Sequence, residues 1–147
     1  MTELLMLAAE EKIMIEWWDF PPPLEAIYWS RPDLPPIIGL SYTLQECAEA
    51  YARCILAEEI GHYFTTAYNP MPHVFFTSKD IREINRLEWQ ARQWAALYLI
   101  PEDRLRAALK HGPPSKTELA VLFRVTERML AFRLELYSFS ARQMVKL

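Results

Sequence analysis

The sequence predicts a small α+β domain in which a three-stranded sheet packs on two long helices. Strand-like segments separated by prolines lie between residues 13 and 40, and apolar residues at helical spacing fill most of the remainder. Of the 147 residues, 52% are hydrophobic and 24% are charged, which excludes an intrinsically disordered chain. We expect a single domain over residues 1–147, with residues 1–114 as its core and residues 115–147 as C-terminal helices docked on that core.

The N-terminal part of the chain predicts one helix followed by short strands. Residues 2–12 have the apolar spacing of an amphipathic helix, and residues 13–18 then change to a strand-like pattern. Six of the 11 prolines fall between residues 21 and 36, which excludes a long helix there. Two short strands remain possible, at Ala26–Trp29 and Ile37–Leu40.

Three helices are predicted between the sheet and the C-terminal segment. The first begins at Thr43, where Glu46 completes a capping box, and ends near Thr65. Residues 67–77 contain two prolines and therefore form a loop. The two later helices are expected from Ser78 to Ile100 and from Pro101 to the His111-Gly112-Pro113-Pro114 segment.

The last residues predict two short helices that resemble a helix-turn-helix. The two helices join at Arg124–Thr126, with Thr126 as the N-cap of the second. Arg124, Arg128 and Arg133 suit phosphate contact, but Arg124 takes the turn position where DNA-binding versions often have glycine. We therefore favour docking on the core over DNA binding. The side chains expected to be buried by docking are Leu119, Leu122, Met129 and Phe132.

Charge and cysteine content limit the classes of partner and compartment. Residues 1–60 carry 11 acids and 3 bases, and the basic excess of the remainder gives only weak support for nucleic-acid binding. Cys47 and Cys54 fall on one predicted helix about 10 Å apart, beyond the roughly 7 Å that a disulfide spans. Free thiols and the lack of a long apolar run predict a cytoplasmic protein without membrane contact.

The feature most indicative of chemistry is the run Glu58-Glu59-Ile60-Gly61-His62 within an apolar helix. Residues four apart share a helix face, so Glu58 and His62 point the same way and Glu59 lies close to that face. The HExxH arrangement uses this geometry, with the outer residues on a metal ion and the inner glutamate activating water. An EExxH match alone is a weak signal, because a lone histidine in a helix is usually structural.

Glu88 is the candidate third ligand. It extends the inward stripe of the next long helix by one turn, and a carboxylate on a buried stripe needs a partner. If the two helices pack antiparallel, Glu88 reaches the face of Glu58 and His62. The alternatives are that Glu88 pairs with Arg92 at i+4, or that Arg53 neutralises the helix carboxylates.

Four stretches of the chain resemble the ImmA/IrrE family of metallo-endopeptidases. Residues 56–63, LAEEIGHY, resemble the family's LAHELGHH helix in the variant where the first histidine reads glutamate. Residues 88–101 resemble its E..A..FA..LL.P helix. The other two are the strand residues 35–40, PPIIGL, and residues 118–134, which are similar to its ELA..F.VS......RL segment.

The resemblance implies a minimal zincin-like fold with one divalent ion on Glu58, His62 and Glu88, and with Glu59 as general base. It implies Zn²⁺, with Mn²⁺ as the alternative because two carboxylates favour a harder ion. The implied substrate is a protein, such as a repressor of a phage or mobile element. A carboxylate in place of an imidazole at position 58 reduces the net positive charge of the metal site. The ion would therefore lower the pKa of its bound water less. That departure leaves open a changed metal preference, a slow enzyme, or a site without metal.

Two other functions stay open on the sequence alone. One is a metal-free protein-binding regulatory module of the same fold, and the other is a DNA-binding regulator acting through the C-terminal helices. His73 in the loop is expected to be solvated, with a role at the site as the alternative. Tyr63 is expected to pack in the core, with stabilisation of an oxyanion as the alternative.

Overall fold

The structure is a computed structural model that describes residues 1–66, 78–110 and 115–144. This part of the chain contains a three-stranded sheet, six α-helices and one 3-10 turn, so the predicted α+β class is confirmed. The elements in chain order are α1 Thr2–Glu10, β1 Met14–Trp18, β2 Ala26–Arg31, β3 Leu34–Ser41, the 3-10 turn Tyr42–Gln45, α2 Glu49–Thr65, α3 Ser78–Leu99, α4 Glu102–Leu109, α5 Lys116–Phe123 and α6 Glu127–Met144.

The sheet has the order β1-β3-β2, with β1 parallel and β2 antiparallel to the central β3. Ile38 pairs with Ile15 on one side and Tyr28 on the other, and it is fully buried. The central strand begins at Leu34, three residues before the predicted start, and so includes Pro35 and Pro36. The prolines are tolerated because β1 pairs with β3 only from Ile37 onward.

The chain divides into two compact units, the first of which is Met1–Ala95. Its core lies between the sheet and the helices α1 and α2, which contact each other and the strands. Burial of apolar side chains stabilises this packing by roughly 25 cal/mol per Å² removed from water. The fully buried side chains at its centre are Leu4, Ile38, Leu56, Ala57, Ile60 and Ala95.

The helices α2 and α3 touch at Gly61. A β-carbon at this position would overlap the carbonyl oxygen of Ala91 and lie 2.9 Å from its carbonyl carbon. Glycine therefore permits a backbone-to-backbone contact between the two helices. Because His62 follows Gly61 and Glu88 precedes Ala91 by three residues, the crossing brings these two side chains to the same place.

The predicted start, at Thr43, of the helix that carries Glu58 and His62 is wrong. Ser41 caps a separate 3-10 turn by accepting a hydrogen bond from the backbone N–H of Thr43 at 3.2 Å, and its hydroxyl bonds that of Thr43 at 2.8 Å. Glu46 ends this turn, and α2 begins at Glu49. Cys47 therefore lies outside α2, and the interpretation that placed both cysteines on one helix is also wrong.

The second unit, Ala96–Leu147, contains the helix-turn-helix-like pair α5 and α6. The predicted N-cap is confirmed, because the Thr126 hydroxyl accepts from the Met129 N–H at 3.2 Å. Leu119 and Met129 are buried as predicted. Leu122 is 55% exposed, so that prediction is wrong: the buried face of α5 is formed by other residues, including Phe123. Phe132 is only half-buried.

Arg133 is not available for phosphate contact, contrary to the sequence-based expectation. Its side chain is 1% exposed and donates to the Ile100 carbonyl at 2.9 Å and to Glu102 at 2.6 Å. Arg124 has a left-handed backbone with φ 54°, a conformation that glycine usually supplies. Docking of residues 115–147 on the core stays a prediction. None of the helices in the described part of the chain is long and apolar enough to cross a bilayer.

Candidate functional site

A cleft of about 410 Å³ opens between strand β2 and the helices α2 and α3. Its polar wall is formed by Glu59 and His62 of α2 and Glu88 of α3, and its apolar wall comes mainly from the start of β2 and from α3. The volume lies in the range of small-molecule and peptide side-chain sites. Three of the four predicted site residues thus line one cavity.

His62 and Glu88 face each other across the helix crossing. The His62 Nε2 lies 3.4 Å from the Glu88 carboxylate, and the imidazole lies parallel to the ring of Tyr28. The hydrogen bond with His62 holds the pKa of Glu88 below its ordinary value. Burial works to lower the pKa of His62, but the bond to Glu88 and the nearby carboxylates, Glu59 among them, raise it overall. The pair is therefore a polarised donor and acceptor at the cleft wall.

Glu59 is placed as a proton acceptor beside this pair. Burial raises the pKa of its carboxyl to about 7, and the neighbouring carboxylates of Glu88 and Glu58 act in the same direction. His62 and a hydrogen bond from the backbone N–H of Tyr28 oppose the rise. A carboxyl with a pKa near 7 can both take up and release a proton at neutral pH.

Glu58 is oriented differently from the other three residues. Its carboxylate pairs with the Nε of Arg92 at 3.2 Å, and it does not line the cleft. Arg92 thus pairs with a carboxylate of the other helix, and its charge also lowers the pKa of Glu88 on its own helix, the alternative partner considered for Glu88. Arg53 instead bonds Glu3 at 2.7 Å.

The donor chemistry fits a divalent metal ion at two of the three predicted ligands. An imidazole nitrogen and a carboxylate oxygen, from His62 and Glu88, form the His and carboxylate combination used in catalytic zinc sites. The third, Glu58, is engaged by Arg92. Across residues 1–66, 78–110 and 115–144, no three His, Cys, Asp or Glu side chains are grouped closely enough to hold a metal. The ligand roles of these residues stay a prediction.

Of the remaining candidate residues, one has another partner and one lies outside the described residues. Tyr63 donates to the Glu11 carboxylate at 2.8 Å, away from the cleft, so the structure gives no support to an oxyanion role. His73 and the loop that carries it lie outside the described residues. The backbone N–H of Tyr28 was not predicted, because a backbone contact between distant segments leaves no sequence signal.

Comparison with protein families gives one match, and it covers most of the chain. The peptidase M78 model, described as an IrrE N-terminal-like domain, matches residues 24–135, which include the strands β2 and β3 and all four site residues. Searches among curated proteins and among solved structures gave no match. The described elements have the α+β arrangement of a small zincin-like fold, as the sequence resemblance implied. The chain therefore belongs to the ImmA/IrrE family of metallopeptidase-type proteins.

Proposed function

We propose that this protein is a metal-dependent endopeptidase that cleaves another protein, with Glu59 as its general base. The observation that supports this most strongly is the position of Glu59, set in the wall of the cleft beside the His62–Glu88 pair with its pKa near 7. A proton acceptor next to metal-ligating His and carboxylate side chains is an arrangement that metal-dependent peptide hydrolysis uses.

His62 and Glu88 would hold the ion, and Zn²⁺ or Mn²⁺ suits an imidazole with a carboxylate. When bound, a divalent ion supplies positive charge that polarises a peptide carbonyl and makes water more acidic. Glu59 takes the proton of the attacking water on its carboxylate and returns it to the leaving amine. The hydrogen bond from Tyr28 fixes the carboxylate in the cleft during this exchange.

An extended peptide suits the shape of the site because β2 is an edge strand that lines the cleft. The Ser41 N–H bonds the Glu25 carbonyl, so alternate residues from Glu25 onward direct their backbone groups toward β3. Ala26 and Tyr28, which precede the register shift between Trp29 and Arg31, consequently direct theirs outward. A peptide can add to this edge by backbone hydrogen bonds, which is a common mode of peptide recognition.

The proposal that the substrate is a repressor of a phage or mobile element rests on the resemblance to the family. The structure itself supports only an extended polypeptide. A search for the scissile bond therefore begins with a library of proteome-derived peptides, read by mass spectrometry, and continues with candidate repressors.

The experiment compares wild-type protein with Glu59→Gln, each with added Zn²⁺ or Mn²⁺ and with a chelator. We expect cleavage by wild-type protein only with metal. The amide removes the base but no ligand, so Glu59→Gln should reduce cleavage by a factor on the order of 10²–10⁴ while metal affinity is retained. Glu10→Gln on the exposed part of α1 is the matched control and should cleave like wild type. Cleavage that persists in Glu59→Gln or with chelator would contradict the proposal.

A metal-free, protein-binding regulatory module is the second candidate function. The Glu58–Arg92 ion pair favours it, because a guanidinium already neutralises one predicted ligand. Metal content of protein purified without a chelator or histidine tag distinguishes the two candidates. Wild-type protein that binds no divalent ion at micromolar concentration and cleaves nothing would favour the regulatory module.

A further inference from the structure

Four ionisable side chains are arranged as two pairs across the contact between α2 and α3. Glu58 and His62 are four residues apart on α2, and Glu88 and Arg92 are four residues apart on α3. His62 pairs with Glu88 at 3.4 Å, and Glu58 pairs with Arg92 at 3.2 Å. The four groups therefore form two pairs one helical turn apart, of which the His62–Glu88 pair lines the cleft.

Arg92 acts on both predicted carboxylate ligands. It bonds Glu58 directly, and its charge adds to the hydrogen bond from His62 in keeping the pKa of Glu88 low. The Glu58 and Arg92 side chains are 23% and 32% exposed, so water screens this pair only in part. The guanidinium gives these carboxylates part of the neutralisation that a metal ion would provide, Glu58 by direct contact and Glu88 by its charge.

A divalent ion would compete with Arg92 for the Glu58 carboxylate. A carboxylate oriented toward a guanidinium at hydrogen-bond distance is turned away from the cleft that His62 and Glu88 line. A dication placed next to the guanidinium would also be repelled by its charge. Two protein ligands hold an ion more weakly than three, so release of Glu58 should increase metal affinity.

We propose that Arg92 is a positioning residue that sets the divalent-metal affinity of the cleft by holding Glu58 in an ion pair. Glu58 joins His62 and Glu88 as a ligand only when the guanidinium is displaced or removed. This inference rests on the proposed metallopeptidase function.

The test is a calorimetric titration of the full chain with Zn²⁺ and with Mn²⁺. We expect Arg92→Gln to bind at least about tenfold more tightly than wild type, because one ligand is gained and one repulsive charge is lost. Glu58→Gln alone should bind no more tightly than wild type, and the Glu58→Gln/Arg92→Gln double variant should lose the gain. Arg86→Gln is the matched control, since Arg86 lies on the same helix and pairs with the exposed Glu83.

Arg92→Met keeps the apolar stem of the side chain and provides a second variant if Arg92→Gln unfolds. Circular dichroism and thermal melting check the folding of each variant. Unchanged metal affinity in both Arg92 variants would overturn the inference. A double variant that retains the gain would also overturn it, because Glu58 would not be the released ligand. The proposed function has a separate readout, which is cleavage that depends on metal and on Glu59. Such cleavage can be observed even if the Arg92 variants leave metal affinity unchanged. Equally, the affinity can change as predicted in a protein that cleaves nothing.

Discussion

Gly61→Ala should both destabilise the protein and disturb the site. The added methyl group overlaps the Ala91 carbonyl, and a clash between two backbones cannot be relieved by a side-chain rotation. The helices α2 and α3 would have to separate by roughly 1 Å, at a cost of about 1–3 kcal/mol for overpacking. Alanine regains about 1 kcal/mol of helix propensity, so we expect a net loss of up to about 2 kcal/mol.

The same separation should weaken the contact between His62 and Glu88, which the helix crossing positions. Displacement of a catalytic group by about 1 Å can reduce turnover roughly 10²-fold, so metal affinity and any cleavage should fall together with stability. Urea unfolding and metal titration measure the two effects. Asn85→Ala, on the exposed face of α3, changes helix propensity without a contact and should be neutral or slightly stabilising. A Gly61→Ala protein as stable as wild type, with unchanged metal affinity, would refute this reasoning.

Two further predictions concern ion pairs outside the cleft. Burial alone would raise the pKa of Glu3, but hydrogen bonds from the Glu3 backbone N–H and from Arg53 lower this pKa to about 2. The ionised carboxylate therefore contributes fully to stability above pH of about 4.5, and this contribution is lost as the pH falls toward 2. The pair is partly exposed, so Glu3→Gln should cost less than about 1 kcal/mol at pH 7 and only a fraction of that at pH 2, as measured by urea unfolding at each pH; an equal difference at both would contradict this. Arg133→Met leaves the buried Ile100 carbonyl without its donor and should lower the unfolding free energy by about 1–3 kcal/mol, whereas the exposed Arg128→Met should be neutral in the same urea assay. Equal effects of the two substitutions would exclude a structural role for Arg133.

Local patterns in the sequence predicted the elements and the proximity of Glu88 to His62. The spacing of two residues on one helix face and an inward stripe on the next helix are short-range signals, and packing of the two stripes follows from them. The start of the motif helix was missed because Thr43 and Glu46 satisfy the capping pattern, while the 3-10 turn capped by Ser41 takes that stretch of chain instead.

The side-chain pairing at the site was less predictable. Arg92 had two carboxylates within reach, one on its own helix and Glu58 on the other, and only the crossing angle of the helices decides between them. Arg133 has the same limitation: an arginine in an exposed-looking basic stretch is buried here because a carbonyl at the end of α3 and a carboxylate of α4 receive its donors. Contacts between elements distant in sequence determine these outcomes.

The hydrogen bond from Tyr28 to Glu59 has a consequence for where a bound peptide would be cut. Of the N–H groups that β2 directs outward, this one is already used by a side chain. A peptide paired along the edge would therefore lack a donor for the carbonyl opposite Tyr28, while bonds at Ala26 fix its register. That carbonyl would remain unpaired and next to the base, so the strand itself would select the peptide bond exposed to attack.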